Sequence, residues 1–341
     1  MKYMGIDHHK QYSHMTIVDK DGNELKSENG RNTCHDVEAF LNGRGDEIKA
    51  VIEAGRSSYV MVDLFNDFGV DIRISHPSEV KAIGKAKIKT DKRDSKILAH
   101  LLRSDLIPEV YHRDKENRGF QRILRQRVFF VATRTRVKNR ITSLIAQQND
   151  EIRGQACQLK DLFNKAGMEF LQSIKLSSSD QKLLDELLKL NRHLERRIKE
   201  SNDLVESLYT RMEEARLIRT VPGFGRFFSV LVATEIGDVD RFERAEKLYS
   251  YAGVIPSTYT SGERSYHGKM IKQGNKWLRW AAVEAVWPAV RSDFDLKLFY
   301  QRQVRRKSAN SAKMATAKRL LTIIYRVLKE RREYIPYKRR K

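Results

Sequence analysis

Four carboxylates in this sequence stand where they could hold a hard cation. Asp7 and Glu53 each close a short apolar run, Lys2–Asp7 and Ile48–Glu53. An acid on a buried strand is costly unless a partner or a cation neutralises it. Asp91 and Asp94 are three residues apart in a helical pattern, which sets both on one helix face. Oxygen ligands of this kind suit Mg2+, with Mn2+ as a substitute. Two such ions about 4 Å apart can polarise a phosphodiester and steady charge on its attacking and leaving oxygens. Simpler readings stand beside this one. Thr90 is a good N-cap, and acids in a first turn are favoured by the helix dipole alone. Glu53 could pair with Arg56, and Asp7 with Lys10. His8 and His9 follow Asp7, but side chains alternate along a strand, so neither is expected to join Asp7 as a ligand.

A second group of residues lies far downstream. Thr220-Val221-Pro222-Gly223-Phe224-Gly225 precedes an apolar helix and has the look of a helix–hairpin–helix, whose bared amides can hold a phosphate. An ordinary Pro-Gly turn between helices uses the same residues. Gly253–Glu263 reads as a polar loop rich in hydroxyls, followed by Lys269, Lys272 and Lys276, then Trp277, Arg279 and Trp280. A serine beside a glycine presents its hydroxyl with little shielding, and nearby cations can stabilise an attacked phosphate. A plain turn also favours such a pair. The sequence holds no GxxxxGK[ST] phosphate loop, no HExxH and no cysteine–histidine cluster.

The elements that must position these groups follow from periodicity. Lys2–Asp7, Tyr12–Val18 and Glu24–Ser27 read as three antiparallel strands, the last two joined through an Asp-Gly turn. Cys34–Leu41 is helical, Ile48–Glu53 a strand, Tyr59–Phe68 helical, and Asp71–Ser75 a fifth strand stopped by His76-Pro77. Three antiparallel strands followed by βαβ units make a mixed sheet with helices on its faces. In that topology the strands ending at Asp7 and Glu53 run parallel and adjacent. From Asp91 to about Gln148 the chain reads as helical and basic. Leu176–Arg216 reads as one long amphipathic helix with Ser178 and Gln181 as a capping box. Its leucine stripe fits either packing within its own domain or a coiled coil. The final helix is expected over about Ser311–Arg332.

Charge points to the partner. The 341 residues carry a net charge of +22 with 32% charged and 40% hydrophobic, too apolar for a disordered chain. Residues 1–80 carry −5, residues 81–150 carry +11, and residues 301–341 carry +13. Any one such run is commonly a solvated face, but two separate blocks of like charge fit a polyanion that neutralises them. The longest mostly apolar stretches, such as Val128–Ala132 and Leu320–Tyr325, are far shorter than the ~20 residues of a membrane span. The start has no apolar signal core, and Cys34 and Cys157 form no CxxC pair, so a cytoplasmic, nucleoid-associated protein is expected.

Taken together these features resemble the DEDD insertion-sequence transposases related to the pilin-gene invertases, some of which are bridge-RNA-guided recombinases. Met4-Gly5-Ile6-Asp7, Ile52-Glu53-Ala54 and Lys89-Thr90-Asp91-Lys92-Arg93-Asp94 match the acidic motifs. Val221-Pro222-Gly223-Phe224-Gly225 opens the C-terminal transposase domain, and Tyr251-Ala252-Gly253-Val254-Ile255-Pro256 precedes Tyr259-Thr260-Ser261-Gly262. The resemblance covers nearly the whole chain. It implies an α/β plus all-α architecture: a ribonuclease-H-like (RuvC-like) mixed-sheet domain over 1–150, a linker and long coiled-coil helix over 151–218, and a mainly helical transposase domain with a helix–hairpin–helix-like element over 219–341. It implies Asp7, Glu53, Asp91 and Asp94 as Mg2+ or Mn2+ ligands and Ser261 as the nucleophile that forms a covalent phosphoserine link to DNA. Ser257 and Ser265 flank Ser261 and could take its place in the alignment. Donor and target double-stranded DNA, a structured noncoding guide RNA and a homo-oligomer (a dimer, or a tetramer in the synaptic complex) are the implied partners. Two other readings use the same residues differently. A metal-only, junction-resolvase-like nuclease needs the four acids but not Ser261, and a non-catalytic nucleic-acid-binding protein needs none of the five.

Overall fold

The computed structural model describes residues 1–43, 45–83, 90–261, 264–270 and 274–336, and within 256–261 and 264–270 the backbone alone. The chain divides into two compact units, Met1–Lys115 and Glu116–Lys341. The sequence-based joints near 150 and 218 fall inside the second unit, close to the ends of helices.

The first unit runs β1 (Lys2–His8), β2 (Tyr12–Val18), β3 (Glu24–Arg31), α1 (Cys34–Leu41), β4 (Ile48–Glu53), α2 (Ser58–Asp67), β5 (Asp71–Ser75), α3 (Pro77–Ile83) and α4 (Asp91–Arg103). Its five strands lie in the order β3-β2-β1-β4-β5. The first three pair antiparallel, whereas β1/β4 and β4/β5 are parallel. This is the mixed sheet read from the apolar runs, and it is compatible with a ribonuclease-H-like fold. Alternation along the strands sorts the two faces. Met4, Ile6, Met15, Ile52 and Ile74 pack with Val37, Phe40 and Phe65 of α1 and α2. Val51 packs on the other face with Leu98, Leu101 and Leu102 of α4. Gly5 sits under α4: a Cβ there would stand 1.9 Å from the Ser95 carbonyl oxygen and 2.5 Å from the Ala99 nitrogen. The absent side chain lets the helix descend onto β1, and a 2.7 Å hydrogen bond between the Thr16 and Ser95 hydroxyls ties it to β2.

The helical stretch expected from Asp91 to Gln148 is interrupted. The chain is extended around Pro108, which cannot donate to a helix and disfavours helix in the residue before it. There the backbone bonds beside β5, with Val110 N donating to Ile74 O at 2.7 Å and an isolated bridge between Ser75 and Glu109.

The second unit contains α5 (Lys115–Ala146, its first residue in the first unit), α6 (Asp150–Gln158), α7 (Lys165–Ser173), α8 (Ser178–Arg211), α9 (Glu213–Arg219), α10 (Arg226–Ile236) and α11 (Ala245–Tyr251). A hairpin of β6 (Pro256–Ser261) and β7 (Arg264–Met270) follows, then α12 (Lys276–Glu284), α13 (Val286–Ser292), α14 (Phe294–Val304) and α15 (Ala309–Lys329). The long helix begins one residue earlier in its capping than its sequence suggests. Ser177, not Ser178, accepts from Asp180 N, and Gln181 reaches back to accept from Leu176 N at 3.1 Å. Leu184, Leu187, Leu188 and Leu194 of α8 are buried with Val137, Ile141 and Leu144 of α5 and Leu171 of α7. Much of the apolar stripe is thus consumed within this chain. The segment read as a polar loop is the β6–β7 hairpin, whose Thr and Tyr residues favour extended backbone. Helices α9 to α13 and α15 enclose the largest core, built around Phe224, Leu231, Leu278, Val286 and Leu320. Among the described residues no helix is long and apolar enough to cross a membrane.

Candidate metal centre

The parallel register fixes the first two acids. Ile6 of β1 lies beside Ile52 of β4, so one further step sets Asp7 beside Glu53 at the same end of the sheet. Helix α4 supplies the next acid because Gly5 admits it so closely. Thr90 caps it, its hydroxyl accepting from Arg93 N, so the helix-start role of this segment is real. Asp91 then opens the helix above the end of β1.

Asp7 and Asp91 meet through a residue that sequence reasoning set aside. His9 Nε2 lies 3.5 Å from Asp7 Oδ2 and 3.3 Å from Asp91 Oδ2. The ligand atoms of Asp7, His9 and Asp91 all fall within 4.8 Å of one another. Strand alternation does not govern His9, because β1 ends at His8 and the chain turns there, with His9 N donating to Tyr12 O at 2.9 Å. The strand alternation that set both histidines aside as ligands therefore does not apply to His9. Its signal was legible: a histidine two residues after an acid, at a strand end rather than within a strand. His8 does point elsewhere, its ring nitrogens bonded to the Ser13 and Ser57 hydroxyls at 3.0 and 2.9 Å. Burial, and secondarily the neighbouring His9, hold the His8 imidazole below its ordinary pKa. Glu53 and Asp94 stand outside the 4.8 Å group, each engaged in interactions of its own.

Two features bear on whether a divalent cation fits. The Tyr12 hydroxyl donates to Asp91 Oδ2 at 3.1 Å, and this bond raises the tyrosine pKa, helped by burial and by the charges of Asp91 and Asp7. His9 Nε2 also faces two carboxylates at ion-pair distance without a formed hydrogen bond, on a side chain 41% exposed. Two carboxylates and an imidazole are a sound donor set for a divalent metal, and such an ion would satisfy the orphaned nitrogen.

The serine-bearing segment is anchored at its base. Ser261 pairs with Arg264 at the tip of the β6–β7 hairpin. The hydroxyls of Ser257, Ser261 and Ser265 and the amine of Lys269 lie outside the described side chains; Gly262, Glu263 and Lys272, like Lys89 of the acidic motif, lie outside the described residues. Where the hairpin strand returns, Asn275 N donates to Tyr251 O at 2.7 Å, and Arg279 donates to the carbonyls of Ala252 and Gly253. Gly274 adopts φ +115°, and a Cβ there would stand 2.9 Å from Gly253 N. The Asn275 side chain caps α12 and donates to Glu235 Oε2 at 2.7 Å. Glu235, wholly buried in α10, also accepts from Gln121 at 2.9 Å and from Arg125 at 2.8 Å. Sequence reasoning missed this carboxylate, a lone acid inside the apolar run Val230–Ile236.

The Pro-Gly turn has a local explanation. Gly223 adopts φ +92°, and a Cβ would stand 2.2 Å from the Ala285 carbonyl oxygen, so the turn is glycine because it presses on the α12–α13 junction. Val221 and Phe224 are buried beside it. Nearby, aromatic and basic side chains interleave. Arg127 lies over Phe227 at 4.1 Å, Phe228 meets Trp280 at 5.0 Å, and Arg125 lies over Trp277 at 5.4 Å.

Residues 4–149 match the IS110-type DEDD transposase family, and residues 215–301 match the transposase IS116/IS110/IS902 family. The chain is 22% identical over 275 residues to the transposase for insertion sequence element IS1111A of Coxiella burnetii, covering 79% of this chain and 74% of that protein. It is 23% identical over 239 residues to the putative transposase y4qE of Sinorhizobium fredii, covering 69% of this chain and 57% of that protein. The pilin gene-inverting protein of Moraxella bovis is 32% identical over 126 residues, 35% of this chain and 38% of that one.

Proposed function

Because the chain belongs to the DEDD transposases of insertion sequences, and is thus a DNA transposase or recombinase, we propose that it cuts and rejoins DNA by combining a metal site on its sheet with a serine nucleophile on its C-terminal hairpin. The observation that carries this reading is the convergence of Asp7, at the end of β1, and Asp91, at the start of α4, on one small space. Asp7 and Asp91 are the acids at that space, and Glu53 and Asp94, which stand outside the group, complete the acidic set for Mg2+ or Mn2+. A divalent ion held there would act as a Lewis acid toward the scissile phosphate.

The chain's own groups do the rest. Ser261 Oγ bonds to phosphorus as the ester bond to the departing deoxyribose oxygen breaks. The serine loses its proton and the departing oxygen gains one, so no net charge is created. The phosphoserine link keeps the energy of the broken phosphodiester, and resealing by another strand's hydroxyl releases the serine without ATP. The tip position of Ser261 suits presentation to a backbone, and the pinned hairpin base limits how far that tip can wander. The helix–hairpin–helix-like turn at Gly223–Gly225 would hold a phosphate with its amides.

Donor and target DNA are the substrates, drawn by the basic stretches 81–150 and 301–341 and by the aromatic–arginine ribbon around Phe227 and Trp280. A structured guide RNA supplies sequence choice, a reading supported by the resemblance and the positive charge. A dimer, becoming a tetramer at synapsis, brings the acids of one protomer to the serine of another. Exposed Leu190 and Leu204 on α8 favour that helix as the coiled-coil contact between protomers.

Cleavage assayed on denaturing gels tests this. With Mg2+ or Mn2+ the wild type should yield protein covalently attached to DNA, and Ser261→Ala and Asp91→Asn should each abolish it. Free ends without an adduct, undiminished by Ser261→Ala, would make the protein a metal-only nuclease. Binding with no cleavage under any divalent ion, with or without co-purifying RNA, would leave only a binding protein.

A further inference from the structure

Asp7 and Asp91 alone do not account for His9. The residue is fixed from three sides: its backbone N donates to Tyr12 O, its carbonyl accepts from Asn32 Nδ2 at 2.8 Å, and its ring stacks on Tyr12 with centroids 4.8 Å apart. Asn32 is itself held by the Ser13 hydroxyl at 2.7 Å. All this aims Nε2 at the space between two carboxylates. Yet the contacts it reaches there, at 3.3 and 3.5 Å, fail as hydrogen bonds. A protonated histidine pairing directly with a carboxylate closes to about 2.7–2.9 Å. Ligands sharing one octahedral ion with bonds of about 2.1 Å instead stand about 3.0 Å apart when adjacent. The observed spacings leave room for a common ion between these neighbours. Tyr12 completes the arrangement by donating to Asp91 Oδ2, the same oxygen that faces His9, which orients the carboxylate.

We infer that His9 Nε2 is a ligand to the divalent ion held by Asp7 and Asp91, and that this nitrogen biases the site toward Mn2+ and similar borderline ions over Mg2+. The inference rests on the metal-site reading of the previous section. An all-oxygen cage suits Mg2+, whereas imidazole favours transition metals, so His9 is the one residue of the cluster that sets metal preference.

The test uses the full chain and Mn2+ alone, with no DNA. Pulsed electron paramagnetic resonance of the bound ion should show coupling to an imidazole 14N nucleus. His9→Gln should still bind Mn2+, at least about tenfold more weakly, and lose that coupling. His9→Asp should lower the ratio of Mn2+ to Mg2+ affinity by about tenfold or more, because it restores an all-oxygen set. Bound Mn2+ without nitrogen coupling in the wild type, or coupling that survives His9→Gln, would overturn the role of His9 while leaving the metal site intact. No Mn2+ bound by the wild type, with Asp91→Asn indistinguishable from it, would instead defeat the metal-site reading itself.

Discussion

Replacing Glu235 by glutamine keeps the side chain's shape and removes its charge, and the network around it sets the cost. Oε1 accepts from Arg125 at 2.8 and 3.3 Å, while Oε2 accepts from Gln121 at 2.9 Å and Asn275 at 2.7 Å. A glutamine amide brings its own NH2 group, which must face either Arg125 or the Gln121–Asn275 pair. Losing a charge-assisted bond costs about 1.5–3 kcal/mol, and a donor forced against donors a further ~1–3 kcal/mol. Arg125 is 39% exposed and can turn toward water, so the first figure belongs at its low end. The expected loss is roughly 2.5–4.5 kcal/mol, or a drop in Tm of roughly 5–18 °C for a unit of this size. All three tryptophans, Trp277, Trp280 and Trp287, lie in the second unit, so their fluorescence during urea unfolding reports on that unit alone. A change under about 0.5 kcal/mol would refute the reasoning. A cycle with Arg125→Met sharpens the test, since contacting charged partners should couple by more than about 0.5 kcal/mol. No coupling would mean that water, not Arg125, compensates the buried carboxylate.

Other consequences follow from named contacts. Gly5→Ala drives a Cβ into backbone atoms of α4, which cannot swing aside as a side chain would; about 3 kcal/mol or more of destabilisation should appear as faster proteolysis within residues 1–115 with tryptophan fluorescence unchanged. Asp94→Asn should abolish cleavage while leaving DNA affinity within a fewfold in gel shifts, and persistent cleavage would remove Asp94 from the metal site. Lys96, then Lys92, hold the Glu24 carboxyl below its usual range. Its contribution to stability is therefore complete above the ordinary carboxylate pKa and is lost as pH falls through the depressed value, so Glu24→Gln should flatten the acid limb of a stability–pH profile. Changing the exposed Arg305, Arg306 and Lys307 to glutamine should reduce the slope of log affinity against log salt by about 0.9 for each phosphate contact removed. An unchanged slope would place the DNA elsewhere.

The sheet was legible because each strand announces itself locally. Lys2–Asp7, Tyr12–Val18 and Ile48–Glu53 are apolar runs bounded by turn residues, and the strand order follows from few allowed connections. The parallel pairing of the two strands that carry Asp7 and Glu53 was legible for the same reason. What escaped was whatever depended on a chain reversal or a distant partner. His9 was dismissed by applying strand alternation one residue past the end of a strand. Glu235 looks like an interruption in an apolar helix until Arg125, over a hundred residues earlier, is brought to it. The β6–β7 hairpin was hidden because hydroxyl-rich strands and hydroxyl-rich loops share a composition. The division of the α8 stripe between its own domain and a partner could not be weighed without seeing α5 and α7 cover it.

The central claim, that a serine on the hairpin tip is what joins the broken strand, is tested most directly by locating the covalent bond. Wild-type protein reacted with DNA and Mn2+, quenched, digested with nuclease and trypsin, and examined by mass spectrometry should yield the peptide Leu248–Arg264 carrying a nucleotide on Ser261. A nucleotide on Ser257 or on any other residue, or cleaved DNA with every such peptide unmodified, would contradict the account.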